Sequence, residues 1–464
     1  MTLLAFLAAT APYLGLVERL EVIQQEHNVP AVALVIIDPQ RGNLINAWGR
    51  TGNPAHPQAA PDTPFRLGSV SKTFTALTVL SLVEAGKIDL ATPVSGVLGR
   101  QDPPYENPWA ASHPLRVVHL LELTAGLGDL SAQEWDNNDP SPLRLADALA
   151  LNPSNRRMLW PPGVQHSYSN AAPGLSAFIV EKLSGRPFET VARDAVLEPM
   201  GMTQASYLRT EHAAAHLPRG YRADGVTEIP YWHMTFRAFG GLNASPREMA
   251  RFLEAMLADP GRLVSLARPR STLAAAAGLE IGYGLGIYGS VRHGYVFLGH
   301  GGDADGFRSR YGLLPAARRG YFVAINADAP RALGRMRTAI EAFLTQDLDK
   351  PAPPAAPTPG PDLALLTGTY YPTSARFRVA AWQKGDAPEA VVRLTNGALM
   401  FVRRGKTTHL LPVSDSLFRR PADPQATVAF IRRGDALLLQ GEIGNFTRLD
   451  GSCKRGFISR CVWQ

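Results

Sequence analysis

The sequence predicts an α/β (α+β) layered fold followed by a small β-barrel or sandwich, and three observations carry the prediction. Apolar runs at 29–37 and 321–326 read as buried strands with helical stretches between them, so the two strands are expected to share one sheet. Residues 351–361 hold six prolines in eleven positions, which favours an extended polyproline spacer and marks a domain boundary. Beyond it the periodicity becomes that of strands. Runs at 390–394 and 398–402 flank Asn396-Gly397, a strong hairpin turn, and further runs occupy 427–431 and 436–440.

The helices are marked by their ends. Apolar Phe74, Leu77, Leu80 and Val83 recur at helical spacing after Ser69, and Gly86-Lys87 supplies a stop. Residues 176–183 read as a helix that stops at Gly185. Ser245-Pro246-Arg247-Glu248 is a capping box with proline at the first helical position, opening a helix over 249–257. At 464 residues the chain is longer than one core usually supports, so at least two domains are expected.

Lys and Arg number 47 against 40 Asp and Glu, a net charge of +7, but the surplus is local. Residues 362–464 hold 15 basic and 8 acidic side chains, which is all of it, whereas residues 1–361 balance at 32 each. Mostly arginine and without interleaved aromatics, this surplus reads as a solubilising surface, and no nucleic-acid partner is expected. The hydrophobic share of 45% is ordinary for a soluble globular protein. No apolar run approaches the roughly 20 residues that span a bilayer.

Residues 1–12 are apolar and close on an Ala9-x-Ala11 pattern like the end of a secretory signal, though short and without a positive n-region. A truncated signal, a misassigned start and a plain chain end all fit. Cys453 and Cys461, eight positions apart, are candidates for a local disulfide suited to an oxidising periplasm, and two unrelated thiols fit nearly as well. Together these features point to a periplasmic or secreted protein rather than a cytoplasmic one.

Three clusters carry chemistry. In Ser69-Val70-Ser71-Lys72 a hydroxyl and an amine stand one helical turn apart, with roughly 5–6 Å between Cβ atoms, so the Lys72 amine can fold back toward Ser69 Oγ. A serine is a weak nucleophile until a base or a cation assists it, and Lys72 offers either. Ser69 also sits at a helix N-terminus, where unpaired N–H groups favour an oxyanion. Ser-x-x-Lys arises by chance too, with the serine as a plain N-cap. The second cluster, Tyr168-Ser169-Asn170 on a Pro/Gly-rich loop, sets a phenol and an amide one residue apart; a buried tyrosine and a turn-bracing asparagine give the same pattern. The third is Gly299-His300-Gly301-Gly302-Asp303, near Tyr283-Gly284-Leu285-Gly286. Its glycines let an edge strand approach a ligand, or simply make a turn.

Other signals lead nowhere. Gly284-Leu285-Gly286-Ile287-Tyr288-Gly289 satisfies G-x-G-x-x-G, but a strand-like run at 295–298 follows instead of a helix, so no dinucleotide site is expected. His113, His119, His166 and His293 lack ligand spacing, and no metal is expected. Asn445-Phe446-Thr447 is a glycosylation triplet that counts only in a eukaryotic secretory route.

In this order the three clusters resemble the serine β-lactamase and penicillin-binding superfamily, in particular its class C β-lactamase branch with esterase, DD-peptidase and D-aminopeptidase relatives. The likeness spans residues 15–345 and extends to Val118-His119-Leu120-Leu121-Glu122-Leu123-Thr124-Ala125-Gly126-Leu127, Leu197-Glu198-Pro199-Met200-Gly201-Met202-Thr203 and Gly240-Gly241-Leu242-Asn243-Ala244-Ser245. It implies an antiparallel sheet flanked by helices, an all-helical lobe and no cofactor. The expected division is then 1–14 as a candidate signal remnant, 15–348 the catalytic domain, 349–361 the linker and 362–464 a β-rich domain. In that last domain Leu366-Thr367-Gly368-Thr369-Tyr370-Tyr371 resembles the start of the small barrel appended to many such hydrolases.

The resemblance also implies roles. Ser69 matches the acylated nucleophile, and Lys72 the partner that lowers its proton affinity. Tyr168 matches the phenolate that takes the serine proton and later activates the deacylating water. Asn170 matches the amide bonding Lys72 and substrate. His300-Gly301-Gly302 stands where the family carries Lys-Thr-Gly, and the backbone N–H groups of Ser69 and Asp303 match the oxyanion hole. Two departures matter. His300 replaces the lysine whose permanent charge grips a carboxylate, and a histidine ordinarily titrates near neutrality. Asp303, followed by Asp305, replaces a small residue, which disfavours anions or attracts a substrate amine.

The expected function is a metal-free serine hydrolase acting through an acyl-enzyme on small esters, amides or peptides, with esterase or peptidase activity ahead of true β-lactamase activity. The alternatives are a D-amino-acid peptidase or DD-carboxypeptidase on wall fragments, and a catalytically silent binding or regulatory protein. Retention of Ser69, Lys72 and Tyr168 together argues against silence.

Overall fold

The computed structural model describes residues 11–99, 104–135, 141, 143–357, 360–373 and 390–449. Cys453 and Cys461, and the first ten residues of the leader-like start, lie outside them.

Helix α1 (Leu14–Glu26) leads into β1 (Ala31–Ile37) and β2 (Leu44–Gly49). The chain then leaves the sheet to build a helical lobe that includes α2 (Ser71–Glu84), α3 (Ala171–Ser184) and α4 (Pro246–Ala258). It returns as β3 (Tyr288–Arg292), β4 (Tyr295–Ala304), β5 (Phe307–Leu314) and β6 (Arg319–Ile325), followed by α5 (Pro330–Thr345). These strands form one antiparallel sheet in the order β2-β1-β6-β5-β4-β3, with Val35 opposite Phe322, so the first and last strands are neighbours.

Strand β1 is buried along its whole length because helices cover both faces of the sheet. Val32, Leu34 and Ile36 join a core with α1 and α5, while Ala33, Val35 and Ile37 join a larger core with α2, α3 and α4. That is why its sequence is an unbroken apolar run. The helix ends are those the sequence marks. Gly185 closes α3 in the left-handed region at φ +66°. Ser245 Oγ accepts from the Glu248 N–H and the Glu248 carboxylate accepts from the Ser245 N–H, which caps α4.

The C-terminal strands close an eight-stranded barrel rather than a sandwich. They are β7 (Gly368–Pro372), β8 (Ala390–Thr395), β9 (Ala398–Arg403), β10 (Lys406–Pro412), β11 (Leu417–Arg419), β12 (Val428–Arg433), β13 (Ala436–Gly441) and β14 (Phe446–Leu449). Each pairs with its sequence neighbour, and β14 closes on β7 with Tyr371 opposite Thr447. Asn396 and Gly397, at φ 50° and 75°, form the turn of the β8–β9 hairpin. Strand β13 is buried on both sides. Leu437 and Leu439 fill the barrel, while Ala436 and Leu438 pack outward on Trp160 and Val164 of the body. Among the described residues no helix is long and apolar enough to cross a membrane.

Candidate active site

Ser69 lies in a 3-10 turn, Gly68–Val70, immediately before α2. Glycines let this turn press against β4. A Cβ on Gly68, at φ +53°, would stand 2.7 Å from the Asp303 nitrogen, and one on Gly302 would collide with the Leu67 carbonyl oxygen. Ser309 Oγ donates to that same oxygen at 2.7 Å. The backbones of Ser69 and Asp303 are thereby set side by side, as a shared oxyanion hole requires.

Lys72 is 3% exposed, and its Nζ lies 2.9 Å from Ser69 Oγ, 2.7 Å from Asn170 Oδ1 and 2.9 Å from the Phe239 carbonyl oxygen. The Asn170 and Phe239 oxygens only accept, so two of these bonds are donations from Nζ. Toward Ser69 Oγ, which both donates and accepts, Nζ donates as the ammonium. Asn170 is fixed in turn by Asp129, whose Oδ1 accepts from the Asn170 backbone N–H at 2.9 Å. The ring centroids of Tyr168 and Phe239 lie 4.8 Å and 5.3 Å from Nζ, faces that favour its positive charge.

His300 is where expectation and structure part. Its Nδ1 lies 2.6 Å from the Gly301 carbonyl oxygen and its Nε2 lies 2.8 Å from the Tyr283 hydroxyl. The carbonyl can only accept, so Nδ1 carries the proton and Nε2 of the neutral ring accepts from Tyr283. Burial, reinforced by the Lys72 cation, pulls the His300 pKa down to about 3. The ring does not titrate near neutrality, and neither nitrogen offers a proton to a carboxylate.

A cation does stand beside this strand. Arg310 on β5 stands opposite Gly301 on β4, and a Cβ on Gly301 would lie 2.6 Å from Arg310 Nη2. Arg310 Nη1 donates to the Tyr288 hydroxyl at 2.8 Å. Sequence reasoning missed Arg310, because only the β4–β5 register brings it to the motif. The Asp303 carboxylate is exposed and accepts from Arg308 Nη1 at 2.6 Å.

Ser69, Tyr168, His300, Gly301, Gly302 and Asp303 line one cleft of about 1090 Å³, with Lys72 and Asn170 buried behind its floor. Its other walls are aromatic, from Trp135, Tyr231, Trp232, Phe239 and Tyr288, and charged with both signs, from Arg308, Arg310 and Arg337 and from Asp305 and Asp328. Of these only Tyr288, inside the G-x-G-x-x-G run, and Asp305, beside the third cluster, stand out in the sequence. Gly286 of the G-x-G-x-x-G run has a packing role: Thr73 Oγ1 donates to its carbonyl at 2.7 Å, and a Cβ there would stand 2.8 Å from the Lys72 carbonyl oxygen.

Comparison with known proteins matches residues 16–345 to the family described as Beta-lactamase. Penicillin-binding protein 4 of Amycolatopsis lactamdurans is 27% identical over 380 residues, covering 76% of this chain and 96% of that protein. The structure of SurE with D-Leu aligns with a TM-score of 0.59 at 23% identity, over 95% of this chain and all of the other. The β-lactamase/D-alanine carboxypeptidase from Yersinia pestis, complexed with citrate, aligns with a TM-score of 0.58 at 20% identity, over 74% of this chain and 99% of the other. The two structures share the fold.

Proposed function

The chain belongs to the beta-lactamase family, and from that premise we propose that it is a serine hydrolase working through a covalent acyl-enzyme on small esters, amides or peptides. The observation that carries this reading is Lys72 Nζ at 2.9 Å from Ser69 Oγ, with Nζ also donating to Asn170 Oδ1 and the Phe239 carbonyl oxygen. Lys72, as the ammonium, lowers the proton affinity of Ser69, and the Tyr168 phenolate takes the Ser69 proton while Oγ attacks the substrate carbonyl. The ammonium is held by Asn170 Oδ1 and the Phe239 carbonyl oxygen. The backbone N–H groups of Ser69 and Asp303, beside the head of α2, receive the negative oxygen. Tyr168 then passes that proton to the departing alcohol or amine. As the phenolate again, it draws a proton from the water that attacks the acyl-enzyme and returns it to Ser69 Oγ as the acid leaves. The aromatic walls suit an apolar acyl group.

Arg310 favours a second reading, a peptidase that removes D-residues from short peptides or a DD-carboxypeptidase on wall fragments. A guanidinium in the cleft suits a terminal carboxylate. The names of penicillin-binding protein 4 and the D-alanine carboxypeptidase, and the D-Leu in the SurE structure, run the same way. A panel of neutral esters, D-residue peptides and cephalosporins, assayed beside Ser69→Ala, tests both readings. A higher kcat/KM for neutral esters supports the first, and a higher one for release of D-residues supports the second. Turnover that persists in Ser69→Ala contradicts both.

A further inference from the structure

The loop that carries Tyr168 is gripped from two sides. On one side the catalytic body takes its N–H groups: Gly163 N–H donates to the Thr124 carbonyl at 2.9 Å and Ser167 N–H to the Leu123 carbonyl at 2.8 Å. On the other side the C-terminal barrel takes its carbonyls and one side chain. Gln440 Nε2 donates to the Val164 carbonyl at 3.0 Å, and Asn445 Nδ2 donates to the His166 carbonyl at 2.7 Å. Between them Gln165, fully buried, donates to the Thr373 carbonyl at 2.9 Å and accepts from Thr373 Oγ1 at 2.8 Å. Three consecutive residues, ending two positions before Tyr168, are therefore bonded to barrel residues that lie more than 200 positions away in sequence.

Other contacts place this seam at the site rather than beside it. His166 stacks on Tyr283 at 5.1 Å between ring centroids, and the Tyr283 hydroxyl bonds His300. A cavity of about 420 Å³ runs along the seam, with Tyr168, Tyr283 and Tyr288 on one wall and Gly441, Glu442 and Asn445 on the other. The Val164 carbonyl also accepts from the Leu273 N–H at 3.2 Å, whereas Asn445 at the His166 carbonyl is, of these three barrel contacts, the one nearest Tyr168 in sequence.

We propose that the C-terminal barrel is a positioning element of the catalytic site, in which Asn445 and Gln440 act as positioning residues that set where the Tyr168 phenol stands against Ser69 and Lys72. This rests on the reading above, in which Tyr168 moves protons. A displacement of about 1 Å in a catalytic group costs up to roughly 10²-fold in rate, so two hydrogen bonds to the loop backbone are enough to matter. Asn445, noticed in the sequence only as the head of a glycosylation triplet, thereby gains a task inside the folded chain.

The test is a double-mutant cycle on the full chain, read as the rate at which a fluorophosphonate labels Ser69, a stoichiometric reaction that stays measurable over hours in slow variants. Asn445→Ala combined with Gln440→Glu removes both donations to the loop. The new carboxylate still accepts from the Ala274 N–H, as Gln440 Oε1 does at 3.0 Å. In the chain that keeps Tyr168, the pair is expected to slow labelling about tenfold. In Tyr168→Phe it is expected to change the rate less than twofold, because the group being positioned is gone. Equal slowing in both backgrounds, or no slowing in the parent, overturns the proposal. If Tyr168→Phe labels as fast as the parent, the proton-moving role of Tyr168 fails, and the positioning proposal falls with it. Should the double variant unfold, Asn445→Ala alone, a truncation of a partly buried side chain, is put through the same cycle and judged by the same outcomes.

Discussion

Gly302 and Leu67 stand so close that no side chain fits between them: a Cβ on Gly302 would run into the Leu67 carbonyl oxygen, two residues before Ser69. The glycine belongs to the strand that lines the cleft, and the leucine leads into the turn that carries Ser69. Gly302→Ala is therefore expected to push the serine turn off β4 and lower kcat/KM on an activated ester by about 10²-fold. Activity within twofold of the parent would show that the turn yields without consequence.

Removing the amine should hurt more than loosening it. Lys72→Met is expected to slow acylation of Ser69 by about 10³-fold, within the range for positioned acid–base groups. Asn170→Ala removes one of the acceptors that hold the lysine and should cost about tenfold. Pre-steady-state bursts measure both, and an Asn170→Ala effect as large as that of Lys72→Met would mean that Asn170 acts on substrate rather than through Lys72.

The neutral His300 has consequences for pH. Its folded pKa of about 3 lies below the ordinary 6.5, so between those values the unfolded chain binds a proton that the folded chain refuses. Its contribution to stability is intact above pH 6.5 and is lost progressively as pH falls toward 3, by about 1.4 kcal/mol per pH unit. In His300→Gln, Tm should fall less steeply than in the parent between pH 6.5 and 4.5. Superimposable Tm curves would contradict the buried, neutral ring.

Arg310 is expected to sort substrates by charge. Arg310→Met should lower kcat/KM for a carboxylate-bearing substrate roughly ten- to a hundredfold while leaving its neutral counterpart within about threefold. Arg310→Lys should recover only part of the loss, because an ammonium cannot present the two parallel N–H groups of a guanidinium. An equal loss on both substrates would make Arg310 a structural residue.

Much of this was legible before any coordinates. Apolar periodicity located β1 and α2, Gly185 and the Ser245–Glu248 box gave helix ends, and the change to strand patterning gave a β-rich C-terminal unit. Spacing alone brought Lys72 to Ser69, because helix geometry sets three-residue neighbours on one face. What stayed hidden depends on contacts between distant segments. Arg310 reaches the cleft only through its register with Gly301. The unbroken Leu437-Leu438-Leu439 run makes sense only once one side of β13 faces the barrel and the other faces Trp160. His300 looks like a titratable residue until burial and the neighbouring Lys72 are known.

Mass spectrometry of the chain after reaction with a fluorophosphonate tests the central claim most directly. The account predicts one adduct, on the peptide that contains Ser69, absent from Ser69→Ala and formed far more slowly in Lys72→Met. An adduct on another residue, or none on Ser69 in a preparation that turns over an ester, would contradict it.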